Sequence, residues 1–141
     1  MTALPPYDDA EIADDDLVIR RIHPRQVIFD HNTGFYRVST GAFSPSSEPH
    51  FGMSVDVKSS IESVGAIPAE HVRDPKHVGA VEFAASVPRS NGLVVGKAPL
   101  PENEHHGEVW RVGQKRFSRT QQKAFLENCV WLIEIDSVKL N

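Results

Sequence analysis

Residues 51–57 read Phe-Gly-Met-Ser-Val-Asp-Val, and this stretch decides the fold prediction. Apolar residues alternate in it with small or polar ones, as in a strand that buries one of its faces. Short β-prone runs lie on both sides of it, separated by turn residues and by connections too short for helical crossovers. These runs are residues 17–22, 26–29 and 35–38 before it, and 93–95, 108–112 and 132–135 after it.

The pattern predicts an α+β fold. It has a mixed, largely antiparallel sheet of about seven short strands with two or three helices. Residues 78–87 fit a helix or a strand, but their valines and the following Pro88 favour a strand. The clearest helix is predicted over residues 119–130, capped by Ser118 or Thr120, because its apolar residues recur at a spacing of three and four. A shorter helix is predicted over residues 60–65.

Charge divides the chain into two parts. Residues 1–16 hold six acids and no base, which leaves 13 of the 19 acids and all 15 bases in the rest of the 141 residues. We therefore predict an acidic flexible leader over residues 1–15 and a single α+β domain over residues 16–141. The leader either increases solubility only, or it screens a basic surface or docks on a partner.

The chain has one cysteine, Cys129, so its fold does not depend on an internal disulfide. This composition suits a reducing compartment, and we expect a cytoplasmic protein. No apolar run approaches the roughly 18 residues of a membrane span, so no membrane partner is expected. No metal is expected either, because the sequence has no cysteine pair and no histidines at i, i+4 helical spacing.

Polar residues stand on or beside the predicted core strands, and these are the candidate site residues. Alternation directs at least one of Arg20 and Arg21 inward, where a guanidinium needs a carboxylate, phosphate or carbonyl partner. Alternatively, the strand lies at an edge and its arginines extend into solvent. Glu108 is either a surface residue or the partner of an arginine in a cleft. The long loop over residues 39–50 is a further place to look for function.

An arginine on the first strand, a serine on a middle strand and a glutamate on a late strand occur in that order. This order resembles the arginine–serine–glutamate pattern of ADP-ribosyltransferase-like domains. Residues 19–22, 34–37 and 51–57 also resemble the start of RES-type NAD-consuming domains. Further segments resemble small bacterial proteins of unassigned activity.

The resemblance implies NAD as the bound molecule and assigns roles to individual residues. Arg20 or Arg21 would hold the NAD phosphates, with Arg37 as a further cofactor-binding candidate. Ser54 would support the nicotinamide pocket, and Glu108 would act on the nicotinamide ribose. His106 stands two residues before Glu108, where the family often has a second Glu or Gln, and completes the predicted catalytic set of Glu108, Ser54 and His106.

Three functions are therefore carried forward. The first is an NAD-dependent ADP-ribosyltransferase-like domain of toxin or effector type. The second is a non-catalytic binding module that contacts a protein or nucleic-acid partner through a basic strip, Arg111, Lys115, Arg116, Arg119 and Lys123. The third is a histidine-based nuclease or hydrolase that uses His23, His105 and His106.

Overall fold

The computed structural model of the chain describes residues 4–140 and has an α+β fold, as predicted. Within these residues the strands number nine rather than about seven, and four helices replace the expected two or three. The strands are β1 Leu17–Ile22, β2 Val27–Asp30, β3 Phe35–Val38, β4 Gly52–Val57, β5 Gly79–Ala84, β6 Val94–Lys97, β7 His106–Trp110, β8 Val130–Ile133 and β9 Val138–Lys139. The helices are α1 Lys58–Ser63, α2 Pro68–His71, α3 Ser86–Ser90 and α4 Arg119–Asn128.

Six strands form the main sheet in the order β6-β7-β4-β1-β5-β8, and every neighbouring pair in it is antiparallel. One face of this sheet packs under α4, because the alternate residues of each strand on that side are apolar. Val18, Val55 and Val109 line this face, and Phe125 of α4 covers it. The resulting cluster is the main core.

The opposite face of the main sheet is only partly covered. The short helices α1 and α2 bury a small apolar cluster of Ile19, Ile61, Val72 and Ala80 over β1 and β5. Over β4 and β7 this face carries polar side chains instead, among them Ser54 and Glu108. A cleft therefore opens on the half of the face that the helices leave uncovered.

The remaining strands form a second, mixed sheet in the order β2-β3-β9. β2 and β3 are an antiparallel hairpin, and β9 adds to β3 in parallel. Gly34 closes the hairpin turn with a φ of 78°, a conformation that glycine adopts without steric cost.

The acidic N-terminal segment is packed on the domain from Leu4 onward, which differs from the flexible leader predicted over residues 1–15. Ile12 is 1% exposed and belongs to the main core. The Asp9 amide donates to Val95 O at 2.8 Å, along the edge of the main sheet. Asp8 and Asp14 both pair with Arg89, so part of the acidic charge of the segment is compensated where it packs. The first three residues of the predicted leader lie outside the described part of the chain.

Some boundaries also differ from the sequence prediction. The predicted strand over 78–87 ends at Ala84 and continues as α3, whose first turn accommodates Pro88. α4 begins after a capping box between Ser118 and Gln121 and ends at Asn128, so Cys129 follows the helix rather than lying within it. Among residues 4–140, no helix has the length and apolar character needed to cross a bilayer.

Candidate functional site

The site lies on the partly covered face of the main sheet, where two predicted catalytic residues are direct neighbours. Ser54 of β4 is paired in register with Glu108 of β7, and its hydroxyl donates to Glu108 Oε2 at 3.3 Å. On the other side of Glu108, Gly96 of β6 occupies the same cross-strand row. The structure therefore places the predicted serine and glutamate together at the centre of the cleft.

His106, the third predicted catalytic residue, lies beside Glu108. Its Nδ1 lies 2.9 Å from Ala98 O, and because a carbonyl only accepts, Nδ1 must carry a hydrogen. Its Nε2 lies 3.2 Å from Glu108 Oε2, which is within ion-pair distance. The imidazole is therefore held by the backbone on one side and faces the carboxyl group on the other.

Glu108 sits in an environment that favours proton binding. Its burial raises the pKa of its carboxyl group, against the opposing effects of His106 and of the hydroxyls of Ser54 and Ser47. Since Ser54 donates to Glu108, the Ser47 hydroxyl, 2.8 Å away, donates to Ser54. The serines and the imidazole thus converge on one carboxyl group.

This arrangement does not match a serine nucleophile. In a serine hydrolase the imidazole stands between the hydroxyl and the acid, so that it can take the hydroxyl proton. Here Glu108 stands between Ser54 and His106. The chemistry the site offers is that of a carboxyl group positioned by its neighbours.

A cavity of about 150 Å³ opens beside Glu108. A volume of about this size accommodates one six-membered aromatic ring. Gly52 makes room for the carboxylate, because a Cβ at this position would collide with Glu108. The lining combines the site residues with Trp110 and with part of the long loop that the sequence singled out. The lining residues are Leu4, Ser47, Glu48, Pro49, His50, Ser54, Ala98, Leu100, His106, Glu108 and Trp110.

A wider groove of about 720 Å³ lies next to this cavity, and Ser54, Leu100 and His106 line both. Its size is within the range of about 300–1,000 Å³ for small-molecule sites. Arg73 and Lys76 line it and are exposed, and within residues 4–140 neither has a carboxylate within 4 Å. The groove therefore presents cationic groups beside the small cavity.

Arg21, a predicted cofactor-binding residue, lines the groove but is bound to two carboxylates. Its Nε and Nη2 contact Asp56 at 3.0 and 3.3 Å, and its Nη1 contacts Asp74 at 2.7 Å. Asp56 is only 4% exposed and also accepts from Asn103 at 2.7 Å. Arg21 thus compensates a buried charge and ties the loop after α2 to β4.

Arg20 is on the core side of β1, and its guanidinium links two parts of the backbone. The β1–β4 ladder pairs Val18 with Val57 and Ile19 with Asp56. Arg20 follows Ile19 on β1 and points to the same side as Val18. Its Nη1 donates to Ser54 O and its Nε donates to Ala42 O, each at 2.9 Å. Burial lowers the pKa of Arg20 to about 10, while the charge of Glu108 acts in the opposite direction. Arg20 therefore holds Ser54 in place through its carbonyl.

The structure does not bring Arg37, the third predicted cofactor-binding residue, to this site. It lies on β3 of the second sheet, where its Nε pairs with Asp30 at 3.2 Å. Neither the small cavity nor the wide groove includes it among the lining residues. The sequence pattern around Arg37 resembles that around Arg20 and Arg21, and it does not show that their strands belong to different sheets. Sheet membership depends on pairing with strands that are distant in the sequence.

The three histidines of the hydrolase hypothesis have separate partners. His23 Nδ1 accepts from the Arg25 amide, and His105 Nδ1 lies 2.7 Å from the Ser60 hydroxyl. Only His106 contacts the Glu108 site. Over residues 4–140, no group of three or more His, Cys, Asp or Glu residues is arranged to hold a metal ion.

The basic strip of the binding-module hypothesis lies away from this cleft, between the end of β7 and the start of α4. Arg111 Nη1 donates to Arg116 O at 3.2 Å, and the Lys115 ammonium lies 5.4 Å from the centre of the Phe51 ring. Lys115, Arg116, Arg119 and Lys123 are exposed.

Several residues of the site were not predicted. Trp110 had been assigned only to a strand, although it follows Glu108 by two residues and so shares its face. Arg73 and Lys76 belong to a polar loop after α2, and only their charge marked them in the sequence. Ser47 lies in the loop that the sequence singled out as a whole.

Comparisons with protein-family models, with curated proteins and with solved structures find no match to this chain. The function of the cleft is therefore inferred from the geometry and chemistry of its own residues.

Proposed function

We propose that the protein cleaves the N-glycosidic bond of NAD and transfers or hydrolyses its ADP-ribose, as an ADP-ribosyltransferase-like domain of toxin or effector type. The observation that carries this proposal is the meeting of Ser54 and Glu108 where a ring-sized cavity joins a wide groove that Arg73 and Lys76 line. A dinucleotide with a flat nicotinamide ring and a charged pyrophosphate needs these two environments side by side.

In the proposed reaction, Glu108 faces the ribose carbon that carries nicotinamide. When the carbon–nitrogen bond breaks, its electron pair goes to the ring nitrogen, and nicotinamide leaves as a neutral molecule. The positive charge that develops on the ribose is stabilised by the nearby carboxylate. Water or a nucleophilic side chain of a partner protein then bonds to the same carbon, and its proton passes to Glu108.

The other residues position this carboxylate and the substrate. His106 and Ser54 fix the orientation of Glu108 from two sides, and Arg20 fixes Ser54 through its backbone carbonyl. Trp110 provides an apolar wall for the ring. Because Arg20 and Arg21 already bind protein groups, we assign the pyrophosphate to Arg73 and Lys76.

Release of nicotinamide from NAD by the purified protein tests this proposal. Glu108→Gln should lower the rate by at least about a hundredfold, because it removes the charge that stabilises the transition state. Glu62→Gln, on the exposed surface of α1, is the matched control and should retain the rate. If wild-type protein releases no nicotinamide, or Glu108→Gln releases it as fast, the proposal is wrong.

The groove is tested separately. An Arg73→Ala, Lys76→Ala double variant should raise the KM for NAD by about tenfold or more with little change in kcat, because charge-assisted phosphate contacts act in substrate binding. A KM for NAD equal to that of the wild type would mean that other residues bind the pyrophosphate. Urea denaturation curves of each variant establish that the fold is retained.

A second candidate function, binding of a nucleic-acid backbone, is favoured by one observation: four bases of the strip at the start of α4 are exposed. Oligonucleotide binding that weakens steeply with salt and is lost in Lys115→Ala and Arg119→Ala would support it. We propose the cytoplasm as the location for either function, because the single thiol, Cys129, is buried and unpaired.

A further inference from the structure

We infer that residues 4–8 form a strap that covers the small cavity on the side of β6 and lifts from β6 to widen the entrance for a ring. The consequence for substrate access rests on the proposed function, whereas the movement itself does not. Leu4 contributes directly to the cavity lining, alongside Glu108 and Trp110. The strap therefore forms part of the wall of the cavity beside the carboxylate.

Tyr7 holds the strap over the site. Its ring lies against Gly96, where an added Cβ would be 2.5 Å from Tyr7 Cε1, and 5.9 Å from the Trp110 ring between centroids. Its hydroxyl donates to Lys97 O at 2.6 Å. Gly96 stands in the same cross-strand row as Glu108, so Tyr7 covers the sheet immediately beside the carboxylate.

Arg89 of α3 clamps the strap from the outside. Its Nε pairs with Asp8 at 3.0 Å and its Nη1 with Asp14 at 2.8 Å, and its Nη2 donates to Asp9 O at 2.9 Å. The Asp14 side chain is 75% exposed, and Asp8 is also exposed. The Arg89 side chain is only 18% exposed, but both aspartates lie at the surface, where ion pairs contribute little, so this clamp can open at small cost.

The structure also supplies a pivot for the strap. Ile12 is fixed in the main core, and its amide donates to Asp9 O at 3.0 Å in a turn. Tyr7, by contrast, is 37% exposed. The strap can therefore swing away about the turn over residues 9–12 without disturbing the core.

Acrylamide quenching of Trp110 fluorescence tests the strap, in full-length protein carrying Trp131→Phe so that Trp110 is the reporter. We expect Arg89→Ala to increase the quenching constant, although it removes no atom that the structure places against Trp110. Gly96→Ala should do the same by displacing Tyr7. The charge swap Arg89→Glu with Asp8→Arg, which restores an ion pair to the strap itself, should return the constant toward that of the parent protein.

Arg25→Ala, an exposed arginine on a 3₁₀ turn, is the matched control and should leave the quenching constant unchanged. If Arg89→Ala and Gly96→Ala both keep the parent value, the strap does not lift and the inference is overturned. Binding of NAD to the same variants separates the two proposals. An opened strap should raise its apparent affinity by about three- to tenfold. An increase in quenching without any NAD binding supports the strap and contradicts the NAD assignment.

Discussion

Replacing Ile12 by alanine tests whether the acidic N-terminal segment is part of the fold. Ile12 is 1% exposed in the main core, although six acids lie within the first 16 residues. The substitution removes three carbons, which at about 0.8 kcal/mol per buried methylene amounts to about 2.4 kcal/mol. The cavity left behind raises the expected loss in the free energy of unfolding to about 3–4 kcal/mol.

Urea denaturation measures this loss. With an m-value of about 2 kcal/mol per molar, a loss of about 3 kcal/mol lowers the midpoint by about 1.5 M. Ile12→Val should cost about 0.5–1.5 kcal/mol and gives a measurable value even if the alanine variant is largely unfolded. Ile67→Ala, at a position that is 56% exposed, should change stability by less than about 0.5 kcal/mol. A loss below about 1 kcal/mol for Ile12→Ala would refute the assignment of this segment to the core.

Three further predictions concern charge and burial. Arg21→Ala should lower the free energy of unfolding measured by urea denaturation by about 2–3 kcal/mol, because it leaves a buried carboxylate of β4 unpaired. The control Arg119→Ala, at an exposed position, should lower it by less than about 0.5 kcal/mol. Burial alone would raise the pKa of Asp74, but hydrogen bonds from His77 and Arg21 hold it well below its usual range. The stability that Asp74 contributes is therefore present above about pH 4 and is lost as the pH falls below that value. Asp74→Asn should therefore reduce the decrease in the free energy of unfolding that urea denaturation measures between about pH 5 and pH 3. An equal decrease in the variant and the wild type would contradict this. Burial raises the pKa of Cys129 to about 11, so a thiol reagent at pH 8 should label it slowly until urea unfolds the chain, and rapid labelling of the native protein would contradict its burial.

The strands of the fold were predictable because their residues alternate over short runs. β9 was missed, since two residues, Val138 and Lys139, are too few to show a period. The observed β5 ends earlier than the predicted strand over residues 78–87, because valines and Pro88 favour a strand although a proline in the first turn of a helix is tolerated. Composition favours an unstructured N-terminal segment, and Ile12, the one residue of the described positions 4–16 in the main core, does not outweigh the six acids.

The candidate site was predictable only in part. The sequence identified Ser54, His106 and Glu108, because polar residues on buried strands are unusual, and the structure brings these three together. It could not separate the roles of Arg20 and Arg21. Adjacent residues on a strand face opposite sides, and which side holds the cleft depends on helices that pack from elsewhere in the chain.

The order of the main sheet has a consequence for the way the Ser54–Glu108 pair is assembled. Ser54 and Glu108 are 54 positions apart, and β1, which is translated first, ends up between β4 and β5. Closing such wide loops is entropically slow, so this fold should form late and as a whole. An incomplete nascent chain that has not yet made β7 carries the serine without the glutamate. A ribosome-bound fragment that ends before β7 therefore lacks the Ser54–Glu108 pair, and the pair forms only when β7 joins β4 in the folded sheet.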